Sequence, residues 1–262
     1  MPLSDVQEEA LRLLAIHRDD ESYLAGGAAM NIEPQSTRYS DDLDYFQDSE
    51  ERVAEAFASD EAALRQAGFS VAVQLSQPGF IRAIASKGGE ATRIDWAQDS
   101  AWRFLPPVSH PVAGVVLQPI DLAINKLLAL VGRDEPRDVV DTLDAHDTIL
   151  SLGALAWAAA GKDPGYTPPL ILEMLGRRAT LRSEDLERLH LSRELAATEL
   201  KSKWLSALAQ AKAFVASRPP EEMGCLYLSP SQERFIGDAE ELGDAVPHYG
   251  RPGGVLPVVH DP

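Results

Sequence analysis

Apolar residues near the N-terminus cluster at helical spacing, with Ala10, Leu11, Leu13 and Leu14 giving one side of a predicted helix. Ser4, followed three residues later by Gln7, is a capping box that starts it. Period-two alternation takes over at Asp42 to Phe46. If that stretch is extended, Asp42, Asp44 and Phe46 share one face and Leu43 and Tyr45 the other. Asp48 with Glu51 repeats the capping signal and opens a helical stretch from Glu50 to Ala67, stopped by Gly68. Strands are predicted at Phe69 to Leu75, Phe80 to Ser86 and Glu90 to Ala97, with Gly88-Gly89 turning the last two into a hairpin. In the third strand Arg93, Asp95 and Ala97 face one way, Ile94 and Trp96 the other.

Three prolines (Pro106, Pro107, Pro111) mark Trp102 to Gly114 as a loop. Pro119 then opens a helix, closed by Gly132, that is apolar on nearly every side and therefore expected to be buried. Pro136 opens the next one. From Ile149 to about Ser217 the pattern stays helical, with start signals at Thr167-Pro168 and Ser183. Past Arg218 the chain is rich in Pro and Gly. CLYLS and RFIGD are candidate short strands in a tail otherwise expected to be irregular.

Composition narrows the class. The chain has 262 residues, 45% hydrophobic and 25% charged, which suits an ordinary globular protein. No apolar run approaches the ~20 residues that span a bilayer, and the acidic amphipathic N-terminus is not a signal peptide. A single cysteine, Cys225, excludes an intramolecular disulfide. These features predict a cytoplasmic protein without a membrane partner. The formal net charge of −17 rules out coating nucleic acid with the whole surface. A local basic face is needed for that. The candidate is Ile171 to Arg218, where nine Lys or Arg (Arg177, Arg178, Arg182, Arg188, Arg193, Lys201, Lys203, Lys212, Arg218) meet six acids, although such a run also suits a solvated helical surface.

Candidate chemistry gathers between Leu24 and Phe46, LAGGAAMNIEPQSTRYSDDLDYF. Gly26-Gly27 lets backbone approach a ligand closely and can present N–H groups to a phosphate. Asp42 and Asp44 stand about 6.5 Å apart along one strand face. Two such charges brought to about 4 Å repel by roughly 4 kcal/mol at an effective dielectric of 20, so a cation is expected there. Asp95 has two readings: an ion pair with Arg93 or Arg82 on an open sheet face, or a third carboxylate beside the other two. Lys126 lies on the apolar helix among Leu122, Ala123, Ala129 and Leu130, either snorkelling to solvent or aimed into a cleft. Arg137 and Asp141 have the spacing of an exposed helical ion pair.

The order of these elements, Gly-Gly, then Arg-x-Ser-x-Asp-x-Asp (Arg38, Ser40, Asp42, Asp44), the acidic residue in TRIDW, then INKLLALVGRDEPRDVVD, resembles the AbiEii/AbiGii-type toxin nucleotidyltransferases, which share the polymerase β-like catalytic fold. The resemblance runs from about Leu24 to about Asp144. It implies an α+β chain: an N-terminal nucleotidyltransferase domain (1–118) with a mixed, mainly antiparallel sheet and flanking helices, and a helical C-terminal domain (119–218) completing the nucleotide pocket. A Pro/Gly-rich extension (219–262) follows. It implies that Asp42, Asp44 and Asp95 bind Mg²⁺ (or Mn²⁺), with Asp95 also acting as general base. Gly26, Gly27, Arg38, Ser40, Lys126, Arg133 and Asp138 would hold the NTP, with Lys126 counted among the catalytic groups and Asp138 fixing Lys126 or Arg133. Many superfamily members have Gly-Ser where this chain has Gly26-Gly27, so no hydroxyl at that turn helps to hold phosphate.

The implied reaction moves NMP from an NTP to an acceptor hydroxyl. The implied setting is a toxin–antitoxin system with an RNA acceptor such as the 3′ end of tRNA and a separately encoded antitoxin. A protein hydroxyl is the alternative acceptor, and a degenerate member that only binds nucleotide or a partner is the non-enzymatic alternative. Ser40, two residues before Asp42, is also a candidate regulatory phosphorylation site, because roughly two added negative charges there would repel the triphosphate.

Overall fold

A computed structural model describes residues 3–133, 135–178 and 182–257. The last five residues of the predicted extension, His260 among them, and the side chain of Arg178 lie outside the description. The chain divides into two units, Met1–Gln118 with Pro252–Gly254, and Pro119–Arg251 with Val255–Pro262.

The first unit opens with α1 (Asp5–Leu14). Its Ser4 cap and Gln7 form the expected reciprocal pair, the Ser4 N–H donating to Gln7 Oε1 at 2.9 Å. Then come β1 (Ser22–Ala25), the five-residue α2 (Gly26–Met30), β2 (Asp42–Gln47) and α3 (Glu50–Gln66). The N-cap of α3 is Ser49, not Asp48. Asp48 instead accepts two hydrogen bonds from the buried Arg103 guanidinium, at 2.7 and 2.8 Å, a stronger use for a carboxylate than one backbone N–H. After β3 (Ser70–Gln77), β4 (Phe80–Lys87) and β5 (Glu90–Gln98), the proline-rich stretch read as a loop contributes short strands β6 (Trp102–Arg103), β7 (Val108–His110) and β8 (Gly114–Val116). These strands were not legible because two or three residues carry no periodicity.

Seven strands form one sheet in the order β3-β4-β5-β2-β1-β8-β7. Two of its pairings, β2 with β5 and β1 with β8, are parallel and the rest are antiparallel. One face is closed. Leu43, Tyr45, Ile81, Ala83, Ala85, Ile94 and Trp96 are buried there, with α1 and α3 against them. Phe57 of α3 meets Trp96 edge-on at 5.1 Å, a geometry worth about 0.5–1.5 kcal/mol beyond area burial. Asp60 of α3 is buried in this layer and accepts from Trp96 Nε1, Arg18 Nη2 and His17 Nδ1, each at 2.7 Å. A carboxylate is tolerated there because every oxygen is engaged. The other face carries Asp42, Asp44, Phe46, Phe80, Arg82, Ile84, Arg93, Asp95 and Ala97, most of them only half-buried.

The second unit holds α4 (Pro119–Gly132), α5 (Pro136–Thr148), α6 (Leu152–Lys162), α7 (Pro168–Arg178), α8 (Ser183–Glu187) and α9 (Ala197–Ala216). Gly153 of α6 is required by the packing, because a Cβ there would stand 2.7 Å from the Cβ of Phe214 on α9. The long helix expected from Ser183 is interrupted at residues 188–196. Leu189 and Leu191 are two apart, a spacing that does not keep one helical face. The tail is more regular than expected. β9 (Leu226–Ser229) lies between β10 (Arg234–Ile236) and β11 (Val246–His248) in an antiparallel sheet, and Pro247 falls on an edge strand, where a missing N–H is tolerated. Burial pushes the Cys225 thiol up to about 11, so the lone cysteine is a packing residue. Among the described residues no helix is long and apolar enough to cross a membrane.

Candidate active site

Strand register settles where the three acidic residues lie. Asp44 of β2 is paired with Asp95 of β5 and Asp42 with Arg93, so all four side chains rise from the same sheet face. Across the next strand Asp95 is paired with Arg82. Both readings of Asp95 therefore hold together. It stands beside Asp44, and Arg82 clasps it through Nε and Nη2 at 2.8 and 2.6 Å. Arg93 donates to Asp42. Three carboxylates and two guanidiniums share the face, and the charge that a bare Asp-x-Asp pair would leave uncompensated is largely met by Arg82 and Arg93. With Asp42 turned to Arg93 and Asp95 to Arg82, no group of three or more His, Cys, Asp or Glu side chains among the described residues converges on a single metal position.

The glycine turn is built around Asp44. Ala25 pairs with Asp44 across β1 and β2, and Gly26 follows with φ +61°. That conformation favours glycine, and a Cβ at this position would collide with the Asp44 carboxylate. Gly26→Ala should cost roughly 1–2 kcal/mol in backbone strain alone and drive Asp44 from its place. The expected result is a folded, less stable protein with transfer activity reduced by two orders of magnitude or more. Thermal unfolding and a transfer assay check it together.

Gly27 explains the departure from Gly-Ser. A Cβ there would stand 2.9 Å from Arg38 Nη2 and 3.0 Å from Ser40 Oγ, so a hydroxyl-bearing residue from the connector already occupies that space. Ser40 is 4% exposed and Arg38 3%. The Ser40 hydroxyl donates to the Asp42 carbonyl at 3.0 Å. Gln7 of α1 donates to the Ser40 carbonyl at 3.0 Å, which ties the start of β2 to the N-terminal helix. Phosphorylation of Ser40 therefore requires this connector to open first.

The second unit carries the other candidates. Lys126 is 6% exposed, and its Nζ lies 3.0 Å from Asp138 Oδ1 and 3.1 Å from Asp141 Oδ2. Arg133 reaches the same Asp138 carboxylate through Nε at 2.7 Å and Nη2 at 3.2 Å. Asp138 thus holds both cations. Burial pushes its carboxyl up, but the hydrogen bonds and charges of Arg133 and Lys126 outweigh that and leave it below the usual carboxylate range. Asp141, whose spacing from Arg137 suits an exposed pair, is instead buried, 1% exposed, and engaged with Lys126. The signal was present in the sequence: Asp138 and Asp141 are three apart, on one side of a helix that follows an apolar helix with a single lysine. In the expected basic stretch, Arg177 pairs with Glu173 and Arg218 lies over the rings of Phe214 and Tyr227 at 5.2 and 5.5 Å, so part of that charge serves local packing.

Solved structures share the fold, three of them as follows. MenT4, a nucleotidyltransferase toxin from Mycobacterium tuberculosis, is 19% identical over 82% of this chain and 83% of its own, with a TM-score of 0.54. A putative nucleotidyltransferase from H. pylori is 15% identical over 81% of this chain and 97% of its own, at 0.52. JHP933 from Helicobacter pylori is 16% identical over 82% and 95%, at 0.51. No curated protein matches the sequence. The model of the nucleotidyl transferase AbiEii toxin family, of type IV toxin–antitoxin systems, matches residues 12–217, and the chain belongs to that family.

Proposed function

We propose that this nucleotidyltransferase moves NMP from an NTP to the 3′ hydroxyl of an RNA acceptor, with a divalent cation at Asp42, Asp44 and Asp95. The observation that carries the reading is the register of Asp44 against Asp95, beside a glycine turn that admits no side chain. The donor set consists of oxygens only, which suits a hard cation such as Mg²⁺. A divalent cation held there would polarise the transferring phosphoryl group and offset the charge of the leaving pyrophosphate. Asp95 takes the proton from the acceptor hydroxyl, which it can do only once Arg82 has released it. The acceptor oxygen–Pα bond forms, the bond from Pα to the bridging oxygen breaks, and pyrophosphate departs. Gly26, Gly27, Arg38 and Ser40 line the turn offered to the phosphates. Lys126 and Arg133 are the cations that the family resemblance assigns to the triphosphate, with Asp138 holding both in place. A separately encoded antitoxin is the partner that the family setting implies.

The test incubates the purified protein with each α-³²P NTP, Mg²⁺ and total RNA. Label in RNA-sized bands, sensitive to RNase and abolished by EDTA, is expected. Label that survives RNase and is lost to protease would instead identify a protein acceptor. No label with any NTP would overturn the assignment.

A further inference from the structure

One step along the strands from the carboxylates runs a second row of side chains. Phe46 of β2 pairs with Ala97 of β5, which pairs with Phe80 of β4. All three are half-buried, on the face that α1 and α3 do not cover. Adjacent strands are about 4.8 Å apart, so the two phenyl rings rise from positions about 10 Å apart with only a methyl group between them. Arg82 closes one end of this trough, its guanidinium carbon 5.3 Å from the Phe80 ring centre. It remains 35% exposed although it pairs with Asp95, and its bidentate contact uses Nε and Nη2, leaving the Nη1 edge for another acceptor. Along β2 the trough lies two residues, about 6.6 Å, from Asp44.

We infer that this trough is the seat of the acceptor's terminal nucleotide, resting on the proposed transfer reaction: the base stacks between Phe46 and Phe80 over Ala97, and Arg82 takes the adjacent backbone phosphate. The chemistry fits a single-stranded nucleic acid. Flat aromatic faces beside a guanidinium bind successive bases and phosphates without reading sequence. Arg82 and Arg93 offset two of the three carboxylates on this face, so a phosphate meets less repulsion here than elsewhere on a protein whose net charge is −17. A protein side-chain hydroxyl has no planar base to fill the slot.

The experiment uses the full chain and a fluorescent single-stranded oligoribonucleotide, once with a 3′ hydroxyl for transfer kinetics and once 3′-deoxy for binding by anisotropy. Phe80→Ala is expected to weaken oligonucleotide binding about ten-fold and to raise the acceptor KM by the same factor, leaving the NTP KM unchanged. Phe80→Trp is expected to restore both. Phe80→Leu, which keeps apolar bulk without a ring and stands in should the alanine variant fail to fold, is expected to bind as weakly as alanine. Ile16→Ala, at an 81% exposed position outside this face, is expected to match the wild type. Wild-type binding by Phe80→Ala or Phe80→Leu overturns the inference. So does an NTP KM that rises in step with the acceptor KM, or label recovered on protein alone. A wild-type chain that binds the oligonucleotide through Phe80 yet transfers nothing supports the platform and removes the transfer reaction. Transfer that ignores Phe80 does the reverse.

Discussion

Asp44→Asn is expected to abolish transfer, lowering kcat/KM by at least about 10³-fold, because the proposed cation site and the phosphoryl transfer proposed there would both lose a charge. The fold survives. Asparagine keeps the shape that fits against Gly26, and the pairing of β1, β2 and β5 uses only backbone. The amide loses the attraction to Arg82 but also the repulsion from the neighbouring carboxylates, so the unfolding midpoint should change little. A second measurement separates this from a generic defect. Mg²⁺ should raise the unfolding midpoint of the wild type by preferential binding to the native state, and leave that of Asp44→Asn unmoved. An active Asp44→Asn protein would remove the basis of the assignment.

Lys126→Met is expected to have a different signature, a loss of stability together with, on the role proposed for Lys126, a loss of activity. The substitution leaves Asp141 buried and stripped of its ammonium, and Asp138 with Arg133 alone. Breaking a buried pair from one side costs about 3–5 kcal/mol, roughly 10 °C for a chain of this size. Neutralising the buried Asp141 carboxylate in Lys126→Met/Asp141→Asn should return part of that stability and none of the activity proposed for Lys126. Recovery of both would make Lys126 a structural residue only. Acid sharpens the contrast. Asp138 titrates below its ordinary value of 3.8 in the folded chain, so its stabilising contribution is complete above that pH and is lost as pH falls through the depressed value. Removing Lys126 takes away part of what depresses it, and acid unfolding of the variant should begin at higher pH.

Local chemistry was readable where it depends on a few adjacent residues. The alternation from Asp42 to Phe46 and from Arg93 to Ala97 assigned each side chain to a face, and the glycine turn announced a close backbone approach. What lay beyond reach was register between strands about fifty residues apart. Nothing local dictates that Asp44 meets Asp95 with no offset, or that Arg82 and Arg93 take the carboxylates first. Asp141 shows the same limit in a helix: its spacing from Arg137 is right for an exposed pair, and only the packing of α5 on α4 turns it towards Lys126. In the tail the strands of the small sheet are three or four residues long and draw their order from partners up to 22 residues away.

The free border of the large sheet has a consequence for handling the protein. β3, SVAVQLSQ, carries no charge; Val73 is 48% and Leu75 45% exposed, and only Val71 is buried. A shift in pairing between Val73 and Leu75 is the one feature that roughens this rim against a second molecule. What otherwise keeps copies apart is their shared negative charge, whose reach shrinks from about 10 Å at 0.1 M salt to about 3 Å at 1 M. Concentrated stocks should therefore scatter more light as salt is added, and a lysine at Gln74 should quiet them, so dilute buffer is the better home for this chain.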